Sequence, residues 1–174
     1  MNDFPFWSFS IDRYMRPGVS RLCLNLQERH QLDVNILLFA LWVADQDKTV
    51  DHDIFVQLIQ GAEEFHANVV RPLRHTRQRL KLTSYGLPVD QAETFRTTIK
   101  ARELAAEKLE QQLLFSAFNL MFKSETQSSD LKIIESSAHH NLDIYYTHLG
   151  VSQSDSDRQE LAELVTLCVP KLVS

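Results

Sequence analysis

Nine consecutive apolar residues, Ile36 to Ala44, leave a helix in this stretch with no polar face. A helix that is apolar all round belongs inside a protein or inside a membrane. Nine residues rise only about 13 Å as a helix, whereas a bilayer needs about 20 residues. The segment Asp33–Asp45 therefore reads as a central buried helix (about 34–45) that every other element must help to enclose. Asp33 stands at its N-cap, where a carboxylate can accept from the free N–H groups of the first turn.

The remaining elements follow from spacing. Only 4 Gly and 5 Pro punctuate 174 residues, which favours long helices over a turn-rich β fold. Trp7, Ile11 and Tyr14 mark one face of a short first helix that stops before Pro17-Gly18, with Phe4, Phe6 and Phe9 forming an aromatic lid over the core. Val19, Leu22, Cys23 and Leu26 mark a second helix. Asp51 caps a fourth, with Ile54, Phe55, Leu58 and Ile59 inward. Gly61 is expected to break the chain before a basic helix (about 62–81), kinked or broken at Pro72 because proline removes a hydrogen bond and clashes with the preceding turn. A long helix (about 90–121) carries a heptad-like seam of Ala92, Phe95, Ile99, Arg102, Ala106, Leu109, Leu113, Ser116 and Leu120. Residues 124–130 are a polar linker, and two further helices follow, the last stopped by Pro170. The expected fold is all-α: a single-domain bundle of about seven helices. Residues 1–123 form the core domain, and 131–174 a C-terminal pair packed on it.

Several phrases occur together and in order: F-S-I-D-R-Y at Phe9–Tyr14, P-G-V at Pro17–Val19, C-L-N-L-Q at Cys23–Gln27, D-V-N-I-L-L-F-A-L-W at Asp33–Trp42, V-V-R-P-L-R at Val69–Arg74 and K-A-R-E-L-A-A-E-K-L-E at Lys100–Glu110. Over about residues 6–114 the chain resembles a proteobacterial family of short cytoplasmic proteins of unknown function. The resemblance implies a bacterial origin and a helical domain. It brings no activity, cofactor or catalytic residue to transfer.

The residues themselves bound the function. A net charge of -5 argues against bulk electrostatic binding to nucleic acid or to an anionic membrane. Cys23 and Cys168 sit among apolar neighbours, as buried free thiols in a reducing compartment do. The opening M-N-D-F-P-F-W shows no signal-peptide pattern, so a cytoplasmic location is expected. The sharpest feature is the basic run, in which Arg71, Arg74 and Lys81 share a face opposite the Leu73–Leu80 stripe, with Arg77 nearby. It is a candidate interaction or anion-binding face, because guanidinium forks hold phosphate oxygens bidentately. The bland alternatives are solvation, or pairing with Glu103, Glu107 and Glu110 on the long helix. Asp33 and Asn35 form a candidate polar pocket at the entrance to the buried helix.

Other chemistries find less support. Asp45, Asp47, Asp51 and Asp53 fail the EF-hand pattern, with Val50 and Val56 where Gly and Glu are needed. Glu63-x-x-His66 has the spacing of a di-iron bundle motif but lacks a second copy, and His139, His140, Asp143 and His148 do not converge readily. There is no phosphate loop and no nucleophile elbow. No cofactor or metal is expected, although an enzyme assembled from distant residues stays open. The expected function is a non-catalytic protein-interaction or adaptor module, meeting a protein partner or a second copy through the long helix. The alternatives are a small-ligand binder or enzyme with its pocket near Asp33 and Asn35, and an RNA or phosphate binder using the basic face.

Overall fold

The computed structural model describes residues 3–122 and 131–169; the expected linker and the stop at Pro170 lie outside them. The described residues form eight α-helical segments: α1 (Pro5–Tyr14), α2 (Val19–His30), α3 (Val34–Asp45), α4 (His52–Phe65), α5 (Arg71–Leu82), α6 (Val89–Met121), α7 (Leu131–His148) and α8 (Asp155–Cys168). A π-helical turn, His66–Val70, joins α4 to α5 without leaving the helical region of backbone space, so the eight segments make seven rods. The protein is all-α. Among the described residues no helix is long and apolar enough to cross a membrane.

α3 is the axis of the bundle. Every residue from Asn35 to Ala44 is buried, and α7, α1, α6 and α2 cover it from different sides. Phe39 meets Phe6 at 5.3 Å, Trp42 at 5.9 Å and Phe118 at 6.5 Å between ring centroids, so the expected aromatic lid does close on the core. From α7 come Ala138, Leu142, Tyr145 and Tyr146. Asn141, fully buried among them, donates to the carbonyls of Ala40 and Lys48 and accepts from the Val50 N–H, and so ties the loop after α3 to α7. Both capping expectations hold: Asp33 accepts from Asn35 N and Asp51 from Ile54 N.

Two sequence expectations need correction, and a third is narrowed. Gly61 does not break the chain but lies within α4, where the burial of Phe55, Leu58, Ile59 and Ala62 outweighs the roughly 1 kcal/mol that glycine costs a helix. Ile11 is exposed, and α1 buries Phe6 and Ser10 instead. On α6 the heptad-like seam packs within the chain only at Ala92 and Ala106. The buried residues are Ala92, Glu103, Ala106, Glu110, Gln111, Leu114 and Phe118, roughly 90° further round at 100° per residue, while Phe95, Leu109, Leu113 and Leu120 face outward. The apolar count on α6 misleads because polar residues occupy much of its inner face.

Pro72 acts through the turn before it. An α-helical register would set its ring against the carbonyl of Asn68, four residues back. Instead, the Arg71 N–H donates to the His66 carbonyl, five residues back, and the widened π turn admits the ring.

Because Phe39 is enclosed by three rings, replacing it leaves a cavity that rigid helices cannot close. Phe39→Ala is expected to lower the unfolding free energy by about 3–5 kcal/mol, with the urea m-value unchanged. Equilibrium urea denaturation followed by far-UV circular dichroism measures both.

Candidate functional site

A buried helix has a buried beginning. The first N–H groups of α3 and its capping carboxylate lie away from water, so their partners must come from the protein. Asp33 Oδ1 accepts from Asn35 N at 2.8 Å, and the Asp33 N–H donates to Tyr145 Oη at 2.9 Å. Asp33 Oδ2 lies 2.7 Å from His66 Nδ1, the residue that opens the π turn. From the middle of α6 comes Glu110, fully buried, whose Oε2 accepts from His66 Nδ1 at 3.2 Å and from Asn35 Nδ2 at 2.9 Å. Gln111 Nε2 completes the set by donating to Asn35 Oδ1 at 2.8 Å. One imidazole is thus clamped between two carboxylates contributed by two other helices.

The charges in this cluster settle one another. Burial pushes the Asp33 carboxyl up, but hydrogen bonds with Glu110 and His66 outweigh it and hold Asp33 below its usual range. Glu110 goes the other way: burial and its hydrogen bond with Asp33 raise it to about 9. Burial lowers His66, yet the two carboxyl groups overcome that and raise it to about 9. At neutral pH the two carboxyl groups therefore share one proton beside a charged His66. Asp33 Oδ2 and Glu110 Oε1 are both buried, and no described N–H or O–H group from outside the cluster reaches them. Asp33, His66 and Glu110 each offer a ligand atom within 4.8 Å of the others, so these are the residues able to hold a cation.

A cleft of about 680 Å³ opens above the cluster. Asp33 and His66 line it, together with Gln27 and Gln31 at the end of α2 and with Arg71 and His75 of α5. Arg74 also lines the cleft, but its guanidinium is fully engaged: Nε with Glu103 at 3.1 Å, Nη1 with Gln27 at 2.9 Å and Nη2 with Glu107 at 2.7 Å. Arg77 grips Glu103 with two nitrogens. These arginines hold the Glu103 carboxyl below its usual range, although burial raises it. The basic row is therefore divided. Arg74 and Arg77 turn inward to α6, whereas Arg71 and Lys81 are exposed and form no ion pair with a described residue.

Asn35 does not face the cleft as a free polar group, since each end of its amide is held by protein. Trp42 belongs to the aromatic core, packed on Phe118 at 4.7 Å. The histidines scatter: His140 Nε2 meets the Val50 carbonyl, His148 Nε2 meets Glu63 at 2.8 Å, and His139 and Asp143 line a smaller cavity of about 240 Å³. Glu63 and His66, read together as one motif, thus have different partners.

The family whose profile matches residues 5–114 is described as "Protein of unknown function (DUF2390)". The chain belongs to this family. The DUF2390 region contains Asp33, His66 and Glu110, as well as Asn35, Gln111 and Arg71; Tyr145 comes from outside it. Comparison with curated proteins gives no match, and comparison with solved structures gives none.

Spacing singles out Asp33 and Asn35, but not His66, Glu110 or Tyr145 as their partners. In the sequence Glu110 stands only as a possible arginine partner, and His66 only as half of a di-iron spacing. One signal was available for Glu110. It interrupts an apolar series at fourfold spacing, Ala106, Glu110, Leu114 and Phe118, and a carboxylate inside such a stripe requires a buried partner.

The cluster sets a pH dependence. His66 and Glu110 both have folded values near 9, above unfolded values near 6.5 and 4.5. Each favours the folded state while protonated, so their stabilisation is present in mild acid and lost as pH rises towards 9. In chelator-containing buffer, the urea midpoint should fall between pH 6 and pH 9, and Glu110→Gln should flatten that fall. Denaturation curves at several pH values test it.

Proposed function

We propose that this protein binds a small ligand in the cleft between the end of α2, the π turn with α5, and α7. The observation that carries this reading is the half-buried imidazole of His66, clamped between two buried carboxyl groups where an open cleft reaches it. Ionisable groups in the interior give up favourable hydration, and apolar residues of similar size usually serve stability as well or better. Clusters with mutually shifted protonation gather at functional sites, and so do single π turns. Arg71 and His75 on the wall favour a ligand that carries a carboxylate or phosphate group, which a guanidinium can grip with two parallel hydrogen bonds. Engagement of Arg74 and Arg77 with Glu103 weakens the case for an RNA-binding arginine face.

A second reading rests on a different observation. Phe95, Leu109, Leu113 and Leu120 on α6 are 50%, 40%, 41% and 73% exposed, which favours a protein partner or a second copy of this chain against that helix. Both readings agree with a proteobacterial, cytoplasmic setting, in which Cys23 and Cys168 stay as free buried thiols.

A crystallographic screen of carboxylate- and phosphate-bearing fragments separates the two. Hits should gather in the cleft, and Arg71→Glu should abolish them. Hits that scatter over the surface contradict the proposal, and hits confined to the outer face of α6 favour the second reading.

A further inference from the structure

We infer that Asp33, His66 and Glu110 form a binding site for one divalent transition-metal ion at the floor of the cleft. The inference deepens the ligand-binding reading and rests on it. The first support is the enclosure of the two carboxyl groups. Asp33 Oδ2 and Glu110 Oε1 are buried and meet no described donor from outside the cluster, and Asp33, His66 and Glu110 each place a ligand atom within 4.8 Å of the others. Carboxyl groups gathered in this way favour positive charge between them. A divalent cation would displace the protons held by His66 and by the carboxyl pair, and would then meet two carboxylates and a neutral imidazole at once.

The geometry fits such an ion. Zinc bonds to imidazole nitrogen and carboxylate oxygen at about 2.0–2.2 Å, which sets neighbouring donor atoms roughly 3–3.5 Å apart. His66 Nδ1 already lies 2.7 Å from Asp33 Oδ2 and 3.2 Å from Glu110 Oε2, so the three residues stand within the compass of one ion. One imidazole with two carboxylates suits zinc, manganese or ferrous iron, whereas calcium and magnesium take oxygen ligands throughout.

The surroundings are those of a built metal site. Asn35 holds both carboxylates, giving its backbone N–H to Asp33 Oδ1 and its amide to Glu110 Oε2, and Gln111 fixes Asn35 in turn. Partners of this kind aim the ligand atoms and keep the other oxygens occupied. Three protein ligands leave coordination positions open, and the cleft is where water or an anionic ligand held by Arg71 would fill them. Asn35 is on this account a positioning residue.

The test is metal titration of the full chain after removal of bound ions with a chelator. Zn²⁺ and Mn²⁺ are followed by calorimetry, and Co²⁺ by its visible absorption bands. Wild type should bind one ion per chain. His66→Gln and Glu110→Gln should each weaken binding by about 100-fold or more, and Asn35→Ser by about tenfold, the range found when partners of ligands are lost. His148→Gln should leave binding unchanged; it reports on a competing surface site, where the His148 and His52 rings lie 6.1 Å apart beside Glu63. Glu110→Gln preserves shape and the Asn35 contact, so it remains informative if His66→Gln does not fold. Absence of stoichiometric binding, binding that survives Glu110→Gln, or binding lost in His148→Gln overturns the inference. Anionic fragments that fill the cleft of a chain binding no metal would leave the ligand-binding reading standing and remove only the metal.

Discussion

The structure depends on one constraint: α3 has no polar face, so it must be enclosed from end to end. Enclosure is simple for Ile36–Ala44, where apolar surfaces of α1, α6 and α7 meet it. At the start of the helix the same enclosure becomes demanding, because free N–H groups and the Asp33 carboxylate are carried inside too. A cap contributes only about 1 kcal/mol, whereas a buried charge without a partner costs about 3–5 kcal/mol. The partners therefore matter more than the cap. They come from α7 through Tyr145, from α6 through Glu110, and from the π turn through His66. The candidate site is what remains when a buried helix terminus has been satisfied by protein and one side of it opens on a cleft.

Pro72 and α6 place those partners. The proline ring excludes an ordinary turn before it, and the resulting π turn begins at His66. α6 turns an unusually polar face inward, so that one helix supplies Glu110 and Gln111 to the cluster and Glu103 and Glu107 to Arg74 and Arg77. The same arrangement leaves Phe95, Leu109, Leu113 and Leu120 outside. Arg71 alone of the three arginines at positions 71, 74 and 77 faces the cleft without an ion pair to a described residue.

Much of the fold was legible in the sequence because periodicity and capping are local. The span of α3, its Asp33 cap, the Asp51 cap and the length of α6 all follow from neighbouring residues. The failures share a cause. Propensity favours a break at Gly61, but packing of its neighbours decides. A count of apolar residues picks out the outward side of α6 and passes over a face lined by Glu103, Glu110 and Gln111. The site was half legible: Asp33 and Asn35 stand beside an apolar run, whereas His66 and Glu110 join them across gaps in sequence that obey no motif. Only the packing of three helices brings positions 33, 66 and 110 together.

The central claim is that the Asp33–His66–Glu110 cluster is a binding centre rather than a passive link between helices. Anomalous diffraction from crystals grown with Zn²⁺, recorded on both sides of the zinc absorption edge, tests it most directly. The account predicts a peak bounded by Asp33 Oδ2, His66 Nδ1 and a Glu110 carboxylate oxygen, at about 2.0–2.2 Å from each. No peak there, with zinc found only at surface histidines such as His52 and His148, would contradict it.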